Sequence, residues 1–213
     1  MIKALSAIFA LLVAAPAPAQ EAAPDRAGAF DYWLLALTWT PSWCAAEGAW
    51  DEPQCRNGLG FTLHGLWPQN ESGWPEYCDT EARDPSRRET AAMADVMGSG
   101  GLAFYQWKKH GRCSGLSSAH YFATARRLYE ALRLPAPGDA PDGGRATAAA
   151  IERAVLDANP ALVADSVIVT CGAGRVEEVR VCLTRDFAPR DCGPDVLRDA
   201  WRTRGPLDVP PVE

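Results

Sequence analysis

Tyr32 to Trp39 is an aromatic and apolar run interrupted only by Thr38, and its length and composition predict a buried strand. Phe61 to His64 predicts a second. Alternation puts Phe61 and Leu63 on one face and Thr62 and His64 on the other, so His64 can look into a cleft while its neighbours anchor the backbone. Asp84-Pro85 reads as a helix start, with Asp84 as N-cap and Pro85 at the first helical position, and the helix runs to Met97 before Gly98 ends it. Gly100-Gly101 breaks the chain again. Leu102 to His110 predicts the next helix, stopped by Gly111. At about 100° per residue, Tyr105, Gln106, Lys109 and His110 share one polar arc, and Ala103, Phe104 and Trp107 lie on the opposite, core-facing side. Ser118 to Leu132 and Thr147 to Asn159 predict two more helices, separated by a proline-, glycine- and aspartate-containing loop from Pro135 to Gly144. Strands follow at Ser166 to Cys171 and at Val176 to Leu183, the second rich in β-branched residues. Helices set between separated strands predict an α+β fold, and no internal repeat is visible.

The first residues depart from this pattern. Lys3 is followed by an uncharged apolar run from Ala4 to Ala15 and by the small residues Ala17-Pro18-Ala19, which reads as an export signal, residues 1–19, cleaved after Ala19. The run is too short to span a bilayer. Residues 20–213 are then expected to form a single soluble domain in a periplasm or outside the cell. The chain carries a formal net charge of −6, and loss of Lys3 makes it more acidic still. Long-range repulsion excludes a general polyanion binder, so any nucleic acid site must be a local patch, with Lys108, Lys109 and Arg112 the candidates.

Seven cysteines in an exported chain point to disulfides, with one left over. Cys44 and Cys55 flank a polar, glycine-containing stretch and could close a surface loop; Cys182 and Cys192 are similarly spaced. Asn70-Glu71-Ser72 fits the glycosylation triplet, and Asn70 is expected to be unmodified in a bacterial protein.

Two of the three histidines lie in Phe61-Thr62-Leu63-His64-Gly65-Leu66-Trp67-Pro68-Gln69 and Trp107-Lys108-Lys109-His110-Gly111-Arg112-Cys113. A lone histidine is by default a satisfied core residue. Here each is followed by a glycine, which permits close approach of a ligand or another backbone, and Lys109 and Arg112 place positive charge beside His110, useful for holding a phosphate. Paired imidazoles with a nearby cation suit phosphodiester cleavage by general acid and base. His120, outside both segments, reads as a surface residue.

These two segments, with Ile151 to Pro160 and Glu178-Val179-Arg180-Val181-Cys182 downstream, make the chain resemble the ribonuclease T2 family over about Tyr32 to Cys192. The resemblance implies an α+β fold with an antiparallel sheet packed by several helices and tied by disulfides. It implies an endoribonuclease, without metal or cofactor, that cleaves single-stranded RNA through a 2′,3′-cyclic phosphate to a 3′-phosphate. DNA, a membrane and a stable partner subunit are not expected. By the same resemblance His110 is the general base, His64 the general acid and Lys109 the cation that stabilises the transition state, with Gln106 in the position of a catalytic carboxylate. Where the family commonly has His-Glu-Trp, this chain has Tyr105-Gln106-Trp107; the amide lacks a carboxylate's charge and Tyr105 cannot supply a cationic imidazole. Trp67 is either a core aromatic or a platform on which a base stacks, Tyr105 a second substrate contact, and Trp39 and Trp107 core residues.

The resemblance pairs Cys78 with Cys113, Cys44 with Cys55 and Cys182 with Cys192, and leaves Cys171 outside the bridges. A nucleophilic Cys113/His110 pair competes with this reading, but an oxidised cysteine cannot attack. The histidines lack ligand-type spacing for a catalytic zinc. The alternative function is a secreted RNA- or phosphate-binding module whose turnover was lost through Gln106 and Tyr105.

Overall fold

The computed structural model describes residues 25–47, 52–135, 144–201 and 205–212; the segment read as an export signal, residues 1–19, and most of the loop from Pro135 to Gly144 lie outside them. β1 (Tyr32–Trp39) is the axis of the fold, pairing antiparallel with β2 (Phe61–Gln69) on one side and β5 (Arg175–Leu183) on the other. β4 (Val167–Gly172) is antiparallel to β5, while the short β3 (Arg145–Thr147) and β6 (Pro206–Asp208) extend the sheet through one parallel pairing of Asp208 with Arg175. Both faces of β1 are covered, which is why it reads as an apolar run broken only at Thr38. Trp33, Leu35, Leu37 and Trp39 enter the main core, whereas Tyr32 and Leu34 enter a smaller one with Ile168, Cys182, Cys192 and Val196.

The helices are α1 (Thr40–Glu47), α2 (Pro53–Arg56), α3 (Arg87–Ala91), α4 (Ala94–Met97), α5 (Gly100–Lys109), α6 (Ser118–Ala131), α7 (Ala148–Ala158) and α8 (Pro194–Trp201). The structure departs from the sequence reading along α3, α4 and α5. The helix expected from Asp84 to Met97 starts later, because Ser86 and Glu89 form a reciprocal capping box, and it breaks into α3 and α4. Gly100 and Gly101 lie inside α5, whose N-cap is Ser99. A Cβ on Gly100 would sit 3.2 Å from Ala91 N, so this glycine lets α5 pass the end of α3. The buried arc of α5 is also rotated: Gln106 and His110 are buried with Ala103 and Trp107, whereas Phe104 is exposed. The expected polar arc is therefore split, with two of its members pressed against β2 and Lys109 and Tyr105 left at the rim.

α6 fixes β2 in place. Its Tyr121 hydroxyl donates to the Leu66 carbonyl at 2.9 Å and its Tyr129 hydroxyl to the Phe61 carbonyl at 2.8 Å. Tyr121 also meets the edge of Trp107 from α5, so one side chain locks strand and helix together. The three expected disulfides form: Cys44–Cys55 joins α1 to α2, Cys78–Cys113 ties the loop before α3 to the turn after α5, and Cys182–Cys192 secures the end of β5. No helix among the described residues is long and apolar enough to cross a membrane.

Tyr121→Phe keeps the ring and removes the donor, stranding a buried carbonyl, which costs about 1–3 kcal/mol. Urea unfolding is expected to show a lower midpoint with an unchanged slope, and a midpoint equal to the parent's contradicts this account of how β2 is held.

Candidate active site

His64 owes its position to an irregularity in the sheet. Ala36 of β1 faces Gly65 and Leu37 faces Leu63, so His64 is an extra residue in β2. A bulge of this kind re-aims a side chain, and here the imidazole reaches across β1 to β5. His64 Nδ1 lies 2.5 Å from Glu178 Oε1. The other oxygen, Glu178 Oε2, accepts from Arg180 Nε at 2.7 Å, and Arg180 donates again to Asp199 Oδ2 of α8 at 2.8 Å. Burial pushes the Glu178 carboxyl up, but the hydrogen bond and charge of His64 and the charge of Arg180 outweigh it and hold the group at about 2. An ionised carboxylate only accepts, so His64 Nδ1 is the donor and its Nε2 is left for other work.

His110 is set differently. It caps the C-terminal end of α5, with its backbone N–H on the Gln106 carbonyl at 2.9 Å. Its side chain is 4% exposed, and Nδ1 is buried without a hydrogen-bond partner among the described residues. Burial, followed by the positive charges of Lys109 and His64, pushes its pKa down to about 3. His110 is therefore neutral near pH 7.

One indole contacts both imidazoles. Trp67 stacks on His110 with ring centroids 4.9 Å apart and meets His64 edge-on at 5.1 Å. Its Nε1 donates to Gln106 Oε1 at 2.7 Å, and the Arg180 guanidinium stands over its ring. Gly65 makes room for this pair, since a Cβ there would collide with both Trp67 Nε1 and Gln106 Oε1. The sequence leaves Trp67 between core aromatic and base platform; the contacts it makes are to the site's own residues.

Lys109 is partly exposed, its Nζ 3.6 Å from the Glu76 carboxylate, and Tyr105 is half exposed. His64, Trp67, Tyr105, Gln106, Lys109, His110 and Arg180 all line one cavity of about 570 Å³. His64 also borders a second cavity, about 330 Å³, walled by Thr38, Trp43, Met97 and Leu102 among others. The expected basic patch is not assembled here. Lys108 and Arg112 turn to Asp84, which accepts from Trp107 Nε1 at 2.8 Å, from Arg112 at 3.1 Å and from Lys108 at 3.2 Å. The Trp107 hydrogen bond, with help from these two cations, holds the Asp84 carboxyl below its ordinary range. Asp84 is thus the tertiary anchor of the second histidine segment. Sequence reasoning misses Glu178, Arg180 and Asp199 as site residues; the available signal is a pair of charged residues inside an otherwise β-branched strand. His120 is exposed and is not among the residues lining this cavity.

The pattern of the Ribonuclease T2 family matches residues 30–192. The chain belongs to the Ribonuclease T2 family. Among curated relatives, a ribonuclease of Aeromonas hydrophila is 39% identical over 63% of this chain and 61% of its own length, and a probable ribonuclease of Haemophilus influenzae is 32% identical over 49% of this chain and 44% of its own. The chain thus spans between two fifths and two thirds of the length of these relatives. Solved structures share the T2 fold: an RNase-related protein from Calystegia sepium superposes with a TM-score of 0.69 at 21% identity, covering 86% of this chain and 98% of that one. A mutant of RNase MC1, in complex with 5′-UMP, gives 0.62 at 21% identity over 76% of this chain and 93% of that one. Both segments that carry the T2 resemblance contribute to the one cavity.

Asp84→Ala leaves the buried Trp107 N–H without an acceptor, with an expected loss of about 1–3 kcal/mol. Chemical denaturation measures it directly; a variant as stable as the parent means that Asp84 does not anchor α5.

Proposed function

We propose that this member of the Ribonuclease T2 family is an endoribonuclease that cleaves single-stranded RNA by transphosphorylation. The observation that carries the reading is the division of labour between the imidazoles around one cavity: His110 is neutral and His64 is bound to an ionised carboxylate. In this reading neutral His110 takes the proton from the 2′-hydroxyl, the freed oxygen attacks phosphorus, and the P–O5′ bond breaks as His64 gives its proton to the departing 5′-oxygen. The product carries a 2′,3′-cyclic phosphate, which water then opens to a 3′-phosphate with the two roles exchanged. Lys109 offsets the charge that builds on the phosphoryl oxygens. An arriving phosphodiester brings negative charge beside His110, which favours proton uptake by an otherwise weakly basic imidazole. Two cavities meeting at His64 suit a substrate that continues on both sides of the broken bond.

A second reading has one observation in its favour. Gln106 supplies an amide where the family commonly has a carboxylate, and a Panax ginseng relative 34% identical over 47% of this chain is named a ribonuclease-like storage protein. On that reading the chain binds RNA or phosphate without turnover. Both histidines and Lys109 in one cavity favour catalysis. The same reading places residues 20–213 in one catalytic domain of an exported, monomeric protein, and the three disulfides suit an oxidising compartment.

The test is digestion of a single-stranded oligoribonucleotide with analysis of the product ends. Cyclic phosphate followed by 3′-phosphate is expected, with 2′-deoxy substrate uncut and the rate unchanged by EDTA; 5′-phosphate ends, or binding without cleavage, overturn the proposal. His64→Ala and His110→Ala are each expected to lower kcat/KM by ~10²- to 10⁴-fold, with His120→Ala near the parent. A folded His110→Ala variant of normal activity contradicts the assigned base.

The pH profile follows from the sign of the His110 shift. A base whose pKa lies at about 3 is in its active, neutral form throughout the mildly acid range, so the ascending limb of kcat/KM belongs near that value and not near the ordinary histidine value of about 6.5. Gln106→Glu keeps the acceptor for Trp67 and adds negative charge on the same helix face, favouring protonated His110. That limb is expected to move to higher pH, together with a gain in turnover; a profile that overlays the parent's removes Gln106 from the site.

A further inference from the structure

We infer that Glu178 is the positioning residue for His64, and that Arg180 and Asp199 hold Glu178 in place, so that helix α8 is part of what orients the proton donor. The inference rests on the reading of His64 as the general acid. His64 and Glu178 are 114 residues apart in sequence, on strands that do not pair with each other, and they meet because β1 lies between β2 and β5 and because the bulge turns His64 toward it.

A ring on a bulge has torsional freedom that its own strand does not remove. The 2.5 Å contact to Glu178 Oε1 removes it at Nδ1, fixing both the ring's orientation and the tautomer left after proton donation. When Nε2 gives its proton to the 5′-oxygen as the P–O5′ bond breaks, the neutral imidazole keeps the Nδ1–H on Glu178. The arrangement has the logic of a carboxylate that orients a catalytic histidine without itself taking the proton.

Glu178 in turn cannot swing away. It is 5% exposed, and its second oxygen is taken by Arg180, which also stands over Trp67 and donates to Asp199. Asp199 belongs to α8, and α8 is docked by Val196 into the smaller core with Cys182 and Cys192. His64, Glu178, Arg180 and Asp199 therefore form a continuous chain of charge-assisted contacts from the cavity to the helix. A merely structural ion pair has no reason to involve the one imidazole that borders both cavities.

The experiment compares two substrates: the dinucleotide uridylyl-3′,5′-adenosine, whose alkoxide leaving group needs a proton, and uridine 3′-(4-nitrophenyl phosphate), whose phenolate leaves without one. For Glu178→Gln, kcat on the dinucleotide is expected to fall by on the order of ten- to a hundredfold, whereas kcat on the aryl ester falls by less than about threefold. Equal losses on both substrates mean a structural role and overturn the inference, as does no loss on either. Asp199→Asn changes a half-exposed partner and spares the buried pair, so it tests the chain without threatening the fold. It is expected to give a smaller loss with the same dependence on leaving group, about threefold on the dinucleotide, and parent-like behaviour removes α8 from the account. A parent protein that cleaves neither substrate takes down the reading of His64 as well, whereas a parent that cleaves both with no selective effect at Glu178 removes only this inference.

Discussion

The indole of Trp67 is the constraint on which the site depends. Strand β2 and helix α5 carry the two histidine segments, and they meet through Trp67, which stacks on His110 and bonds Gln106 from β2's side of the interface. The contact works only because the neighbouring position is Gly65; any side chain there would displace the indole or the amide. Burial of His110 follows from that stack, and the neutrality of His110 follows from burial reinforced by Lys109 and His64. Packing, in this site, sets protonation.

Opposite physical settings separate the two imidazoles. His110 has its inner nitrogen buried without a partner among the described residues, where a charged ring is unfavourable. His64 has an ionised carboxylate at hydrogen-bond distance, itself clamped by an arginine. A neutral ring that can take a proton and a second ring oriented by a carboxylate suit a base and an acid respectively. The positive charge lining the cavity comes from Lys109, Arg180 and Arg198, while Lys108 and Arg112 are spent on Asp84 and on holding α5.

Much of this is legible in the sequence. β1 can be read to the residue because a run covered on both faces has no competing helical period, and α6 and α7 to within one residue at each end because long amphipathic stretches carry strong signals. Both histidines, Lys109 and the disulfide partners are legible from the family's motifs. Asp84 misleads because Asp-Pro is a strong local helix start, while its tertiary partners Trp107, Lys108 and Arg112 are more than twenty residues away; the Ser86/Glu89 capping box is the competing signal that wins. Phe104 falls on the core side of an arc drawn from hydrophobicity, which cannot know that a glutamine and a histidine will be the buried pair. The His64–Glu178 contact is out of reach, since it requires the strand order and the bulge, neither of which periodicity encodes. Short elements such as α2, β3 and β6 have too few residues to show a period at all.

The catalytic reading turns on the neutrality of the buried His110 ring, which an NMR titration of the histidine ring signals in the full chain reads out. With His120 removed from the spectrum by substitution, two rings remain to be followed. The His110 ring is expected to stay neutral on acidification from neutral pH and to take up its proton only at about 3. A His110 signal that titrates near the ordinary value of about 6.5 contradicts the reading, because the stack on Trp67 would then not be setting the base.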